Sequence, residues 1–491
     1  MKRNLQWLVA LMVLLPLLYS CATYKDTMSS FNTHLKEQDY DKAMQSIEAN
    51  KLIKKNRNAL LYNLEMGKLY RLKNDYNNSN KHLNKADKLM EQNNTKSLAD
   101  FAMGNLINPM RQTYKAEDYE QYMMHFYKAL NYAALGYTES AVVEARRITL
   151  ATNLNSSKYN FASNKYSKDA FALNLQGMIY EMAGDYNNAF IAYRNAVQLY
   201  QNNESQYYGV ALPTQLQQDL LRMATNMNFV EEVSFYETNF NTTHTQNTAD
   251  GGALILFLED GQAPVKQENN FLLTAINGSV NSFSYVNANG LNENFNFNTT
   301  IYGFTNENLS TFKTFKLSIP SISILSKQAQ AVAVVVNGTT YTTAVAQNMN
   351  SIALNVMKER FLKEMGYALA RQLAKKLVEK GAEALAESLV KNNGNNNATD
   401  TTDTQKNEFV NKNKERKQQV GNIAGLAVNI FNTLNEKADT RTWQTLPAFV
   451  QYVRIPLQAG QNNIVIQTEK GNKILQVNGN SRLQMMSVLL N

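Results

Sequence analysis

Two periodicities divide the chain. From about residue 31 to residue 230, apolar residues recur at intervals of three and four, the spacing of amphipathic helices. After Gly251 the pattern changes to short apolar runs between turn residues, which predicts strands. Gly252 to Leu258 reads as a buried strand, Glu259-Asp260-Gly261 as a turn, and Ala263 to Lys266 as the next extended piece. Further strands are predicted at Phe312 to Ile324 and Ala331 to Val336. Asn337-Gly338 joins the second of these to Thr339 to Ala346, a strong short-range hairpin signal. The Asn- and Ser-rich stretch 277–298 reads as a loop or a pair of exposed strands. Helical spacing returns from Ser351 to Lys391, through Phe361, Met365, Leu369, Leu373, Leu377, Leu385 and Leu389. Gly366 and Gly381 are candidate points of division. Residues 392–416 are an Asn/Thr/Lys-rich linker, expected to be flexible. A second helix is predicted from Gln418 to Lys437. Strands resume at Phe449 to Leu457, Asn463 to Thr468, Lys473 to Val477 and Leu483 to Leu490, and are expected to complete the sheet begun at 251–346.

The helical half is repetitive. In residues 169–200, Gly177, Tyr180, Gly184, Tyr186, Ala189, Tyr193 and Ala196 fall at spacings that resemble the tetratricopeptide repeat. Small residues at Gly177 and Ala189 let two antiparallel helices approach closely. Tyr180 and Tyr193 fill the space around the crossing. A second copy uses Gly67, Tyr70, Tyr76, Ser79, Leu83 and Ala86. A third uses Ala129, Tyr132, Gly136, Ala141 and Ala145, and residues 31–49 form a degenerate first unit. One more helix is expected from Pro213 to Met227. The stretches 93–118 and 150–168 are read as irregular insertions. The expected fold class is α+β. A TPR-like array of three to four hairpins fills 21–230, and a sandwich-like, β-rich domain fills 250–491 with a helical insertion at 351–437. The tract Glu144-Ala145-Arg146-Arg147 is read as a solvated helix face.

The N-terminus changes the picture. Met1, Lys2 and Arg3 precede an apolar run from Leu5 to Leu18, then Ser20 and Cys21. A basic start, a short apolar core and a small residue before the cut form a signal peptide over residues 1–20. Cys21 directly after it resembles the lipobox of bacterial lipoproteins. That resemblance implies cleavage before Cys21 and acylation of its thiol and new amine. Cys21 is the only cysteine, so no disulfide is expected and stability must come from packing. Removing Lys2 and Arg3 from the formal charge of +8 leaves +6. In an exported chain that basicity suits anionic envelope surfaces or solubility, and nucleic acid is not an expected partner.

Catalytic signatures are absent from the sequence. His34, His82, His125 and His244 are dispersed without metal-ligand spacing. There is no nucleophile elbow and no phosphate-cradling glycine loop. No pair of carboxylates stands out as acid and base. No cofactor or metal is expected, and no small-molecule ligand is specified.

Two tracts carry a family resemblance. Leu256 to Lys266 includes Gly261, Pro264 and Lys266. Ala438 to Pro447 includes Asp439, Arg441 and Trp443 in an A-D-x-R-x-W-x-x-L-P arrangement. With the lipobox and repeats, they resemble a family of bacterial envelope lipoproteins, often encoded near lipoproteins that activate penicillin-binding proteins. The resemblance implies cell-envelope work and assigns no reaction. The residues themselves have a structural reading. Asp439 and Arg441 can pair, Trp443 can bury its ring over a helix-to-strand junction, and Leu446-Pro447 forces extension. Arg441 and Trp443 are expected to hold the C-terminal strands onto the 251–346 sheet. Gly261, Pro264 and Lys266 read as a shaped turn with one exposed charge. The expected function is a non-catalytic scaffold, held in the outer membrane through Cys21, facing the periplasm and engaging one or more envelope proteins. The alternative is a cell-wall enzyme with its site in the β-rich domain.

Overall fold

The computed structural model describes residues 24–94, 109–158, 166–201, 206–244, 249–276, 282–286, 290–297, 314–326, 328–393 and 437–490. Cys21 and the signal peptide lie outside them, as do nearly all of the expected linker at 392–416 and helix at 418–437.

The helical half is built from pairs that end in one repeated turn. Its helices are α1 (Tyr24–Thr27), α2 (Ser29–Lys36), α3 (Tyr40–Ala49), α4 (Ala59–Leu72), α5 (Tyr76–Asn94), α6 (Asp118–Ala134), α7 (Thr138–Lys158), α8 (Ala170–Met182), α9 (Tyr186–Gln201), α10 (Thr214–Asn226) and α11 (Val230–Phe240). Gln38, Asn74, Gly136, Gly184 and Asn228 each adopt left-handed φ between +57° and +77°. In each case the next N–H donates to the carbonyl five residues back, as in Asp75 to Tyr70 at 2.9 Å and Asp185 to Tyr180 at 2.8 Å. This closes the preceding helix in a Schellman turn and starts its partner antiparallel. Five hairpins result among the described residues, more than the three to four expected. The extra pair is α10/α11, whose turn is made by Asn228 rather than glycine.

Close approach sets the crossings. A Cβ on Gly177 would lie 2.4 Å from the Tyr193 ring, and one on Gly67 would lie 2.5 Å from Leu83. Only hydrogen fits at either position. Helix α7 continues to Lys158, so the start of the stretch read as irregular at 150–168 is helical. Glu144 is buried, contrary to its reading as a solvated face, while Arg146 is exposed.

The strands are β1 (Gln206–Tyr207), β2 (Val210–Ala211), β3 (Gly252–Asp260), β4 (Val265–Ala275), β5 (Ser282–Val286), β6 (Asn292–Asn296), β7 (Thr314–Ser323), β8 (Ala333–Val336), β9 (Thr339–Thr342), β10 (Ala344–Asn348), β11 (Phe449–Pro456), β12 (Gly460–Thr468), β13 (Gly471–Gly479) and β14 (Arg482–Leu489). Three four-stranded sheets run in the orders β10-β11-β3-β14, β13-β12-β8-β9 and β6-β5-β4-β7. The C-terminal strands do complete the earlier ones: β11 and β14 flank β3, and β12 pairs with β8. Asn337 and Gly338, both at positive φ, turn β8 into β9.

Strand β3 is buried on both faces and explains the layering. Its residues alternate sides. Leu254, Leu256 and Leu258 join Val334, Val336, Ile464 and Ile466 in a core between the first two sheets. Ile255 and Phe257 point the other way, into a core shared with the helical array, together with Tyr452, Met485 and Trp443. The array and the first sheet are therefore packed on one another. The third sheet covers helix α12 (Met349–Asn393), with Phe283, Phe315 and Leu317 against Met365, Leu369 and Leu373. The pair of strands expected within 277–298 is present as β5 and β6, and four of the five β6 residues are exposed, but Phe283, Tyr285 and Phe295 turn inward and are buried. Helix α12 runs through Gly366 and Gly381 without division.

Candidate functional site

The two signature tracts meet on the helical array. Arg441 is fully buried. Its Nη1 donates to Asn58 Oδ1 at 2.6 Å and to the Gln112 carbonyl at 3.0 Å. Its Nη2 donates to the Pro109 carbonyl at 3.0 Å and to Asp439 Oδ2 at 2.6 Å, and its Nε to Asp439 Oδ1 at 2.8 Å. Every one of these partners outside its own tract belongs to the helical half. The Trp443 ring is buried at 5.8 Å, edge-on, from Tyr127 on α6, and its Nε1 donates to Thr445 Oγ1 at 2.7 Å. The tract thus clamps the β-rich part to the array. The expectation that Arg441 and Trp443 hold the C-terminal strands to their own sheet is corrected by these contacts.

Buried carboxylates of the array receive the tract's backbone. Glu65 accepts the N–H groups of Gln444 at 2.7 Å and Thr445 at 3.2 Å, and the Thr445 hydroxyl at 2.8 Å. Burial pushes its carboxyl up to about 8 despite these donors. Glu120 accepts the Trp443 N–H at 2.9 Å and the Tyr114 hydroxyl at 2.7 Å, and burial likewise raises it. Tyr24 donates its hydroxyl to the Thr442 carbonyl at 3.2 Å, which ties the first described residue to the same tract.

Glu117 links the other signature tract. It caps α6 in a reciprocal box with Glu120. Lys266 Nζ reaches its Oε1 at 2.6 Å, and Arg360 Nη1 of α12 reaches its Oε2 at 2.7 Å. Burial opposes ionisation, yet Arg360 and Lys266 together bring the Glu117 carboxyl down to about 2. The Lys266 side chain is 9% exposed, so the reading of a free surface charge does not hold. Gly261, at φ +66°, makes the turn before it, where an added Cβ would lie 2.6 Å from Ser326. Pro264 is buried after that turn, and Glu268, two residues beyond the tract on β4, accepts the Ala438 N–H at 2.9 Å.

Glu117, Lys266, Arg360 and Ala438 line a cleft of about 580 Å³ between the array, α12 and the third sheet. Lys266 and Asp439 line it, one from each tract. Lys115, Arg360 and Lys363 supply positive charge, and Glu117, Glu359 and Glu364 supply negative charge. Such a lining can hold a polar chain carrying both signs of charge. The Glu117 carboxylate in its lining is fixed by two cations and kept ionised, the opposite of a proton donor poised near neutrality.

Further charged clusters seal the array against the sheet. Glu259 is the next inward residue after Ile255 and Phe257. It pairs with the buried Lys68 and accepts the Tyr127 hydroxyl at 2.9 Å. Burial brings Lys68 down to about 8, while Lys68 and Arg71 hold Glu259 below the usual carboxylate range against its own burial. Arg454 of β11 joins Glu181 at 2.7 Å, and Arg222 reaches both Glu181 and Asp219 at 2.8 Å. The histidines also differ from their sequence reading. The fold brings His125 beside Asp87 and Glu144, close enough for three metal ligands. Lys128 Nζ occupies that space at 2.6 Å from Asp87 and 2.9 Å from Glu144, and Arg147 closes it at 2.8 Å from Asp87. These ammonium and guanidinium groups already neutralise the carboxylates.

Sequence reasoning missed Glu65, Lys68, Glu117, Glu120, Glu259 and Arg360. For Glu65 and Lys68 a signal existed: both interrupt a helix, Ala59–Leu72, that is apolar nearly all round.

No family model and no curated protein matches the chain. Among solved structures it is similar to MamA, at 15% identity and a TM-score of 0.27 over 42% of this chain and 90% of that one. A second MamA structure gives 13% and 0.27 over 45% and 96%. BtubC from P. vanneervenii gives 14% and 0.30 over 45% of this chain and 83% of that one. At such TM-scores the likeness says nothing of what the chain binds or does.

Proposed function

We propose that the protein is a non-catalytic scaffold of the bacterial cell envelope, anchored through acylated Cys21 in the outer membrane and facing the periplasm. Its helical hairpins form a tetratricopeptide-like array. The mixed-charge cleft docks a segment of an envelope protein, in the service of cell-wall or outer-membrane assembly. One observation carries this reading. Lys266 and Asp439 of the two signature tracts converge on one cleft, where Glu117 is locked between Lys266 and Arg360. That chemistry suits recognition of a charged peptide better than proton transfer.

The test is photo-crosslinking in intact cells from a benzoylphenylalanine placed at Tyr367, which lines the cleft. A discrete protein adduct is expected, and reversing the exposed charges Lys115→Glu and Lys363→Glu should weaken it at least tenfold while thermal stability is kept. An adduct of undiminished yield in a stably folded double variant would sink the cleft as the docking site.

A further inference from the structure

The loop after α3 is strongly basic. Lys51, Lys54, Lys55 and Arg57 follow one another with no acidic residue between Glu48 and Glu65. The three lysines are exposed. None of the four cations forms an ion pair with a described residue. Lys54 lies 5.3 Å from the centroid of the Tyr62 ring. The buried Nε of Arg57 has no hydrogen-bond partner among the described residues. Arg111, also exposed, stands close enough to Arg57 for the two charges to repel. A patch of this kind, with no ion-pair partner among the described residues, is a site for an anion.

Its position says which anion. Asn50 Nδ2 donates to the Thr27 carbonyl at 2.9 Å, and Asn50 Oδ1 accepts the Leu52 N–H at 2.9 Å and the Ile53 N–H at 3.2 Å. The basic loop is thereby fixed against the first described turn. Tyr24 within that turn is buried and tied to Thr442. Only two residues separate Tyr24 from Cys21. At roughly 3.6 Å per extended residue, Cys21 lies within about 11 Å of Tyr24. An acylated Cys21 would therefore hold this end of the molecule at the bilayer surface, where anionic headgroups are concentrated.

Resting on the lipid-anchor reading of Cys21, we propose that the 51–57 loop, with Arg111, is a second membrane-binding element that docks on anionic phospholipid headgroups of the leaflet holding the acyl chains. It fixes the orientation of the body on that leaflet. Each basic residue near an anionic surface strengthens association about fivefold, and the attraction fades within about 10 Å at moderate salt. A tether of two residues keeps Tyr24 close to the anchor, and the Asn50 bond to the Thr27 carbonyl places the loop beside that same turn.

The experiment uses the full-length protein purified from membranes and reconstituted into vesicles. One set is phosphatidylcholine alone and the other an equal mixture with phosphatidylglycerol. Lysine acetylation is followed by mass spectrometry. Lys51, Lys54 and Lys55 should react at least fivefold more slowly in the anionic vesicles, with the difference abolished by molar salt. Lys470, exposed in the hairpin between β12 and β13, should react equally in both. Equal rates at Lys51, Lys54 and Lys55 in the two vesicle types overturn the proposal. So does protection that is as strong in phosphatidylcholine alone. Intact mass of the same preparation reports acylation of Cys21 separately, which tells failure of the anchor from failure of headgroup docking.

Discussion

Arg441→Met tests the clamp between the two halves. The substitution keeps most of the side chain's bulk and removes five donated hydrogen bonds. Asn58 Oδ1 is left in a fully buried place with no donor. The Pro109 and Gln112 carbonyls are only half-buried and can find water. Asp439, 29% exposed, loses its cation but keeps solvent. An orphaned buried polar group costs about 1–3 kcal/mol, and breaking a buried pair from one side about 3–5 kcal/mol. Because Asp439 faces the cleft, the lower part of that second range is expected, about 3 kcal/mol in all. That is a large share of the stability of an ordinary domain. Urea denaturation followed by tryptophan fluorescence should show the midpoint falling, and limited proteolysis should open the chain near 437–448 first. Asn58→Ala should cost less alone and add little to Arg441→Met, with a coupling of about 1–2 kcal/mol. A wild-type urea midpoint and wild-type proteolysis in Arg441→Met would refute the assignment of this tract as the clamp.

Two further outcomes follow from the packing and the charges. Glu65 ionises near 8 in the folded chain and near 4.3 when unfolded, so its contribution is full below about pH 4 and declines as pH rises through 8. The pH slope of stability over that window should flatten in Glu65→Gln, and an unchanged slope would count against a buried, raised Glu65. Gly177→Ala forces a methyl into the Tyr193 ring at 2.4 Å and should cost about 1–3 kcal/mol, read as a lower melting temperature; an unaltered melting curve would mean that α8 and α9 do not cross there.

Local signals were legible in the sequence, and partnerships across the chain were not. Gly136 and Gly184 marked their turns because glycine tolerates positive φ, whereas Gln38, Asn74 and Asn228 make the same turn without that flag. The α10/α11 hairpin was underread for this reason. Asn337-Gly338 gave its hairpin because the turn type demands such residues. In the sequence Glu259 reads as part of a turn, since Asp260 and Gly261 follow it. Counting in twos from Ile255 and Phe257 would have placed it inward, facing Lys68. Lys266 and Arg441 were visible as a pair of conspicuous cations, but their acceptors Glu117 and Asn58 lie far away in sequence. Periodicity reports which face is buried and says nothing about the surface opposite.

The bond from Thr445 to Glu65 spans 380 residues. At roughly 5–20 residues per second of synthesis, Glu65 emerges some 20–80 s before the backbone that satisfies it. Through that interval Glu65 has none of its three donors from Gln444 and Thr445, and Lys68 waits for Glu259, 191 residues on. A hairpin array in that condition cannot close its inner face, and its apolar residues stay open to wrong partners. The last tenth of the chain therefore acts as the closing step of assembly for residues made first. Truncation anywhere before Pro447 should strand the array in the state that chaperones hold and proteases clear.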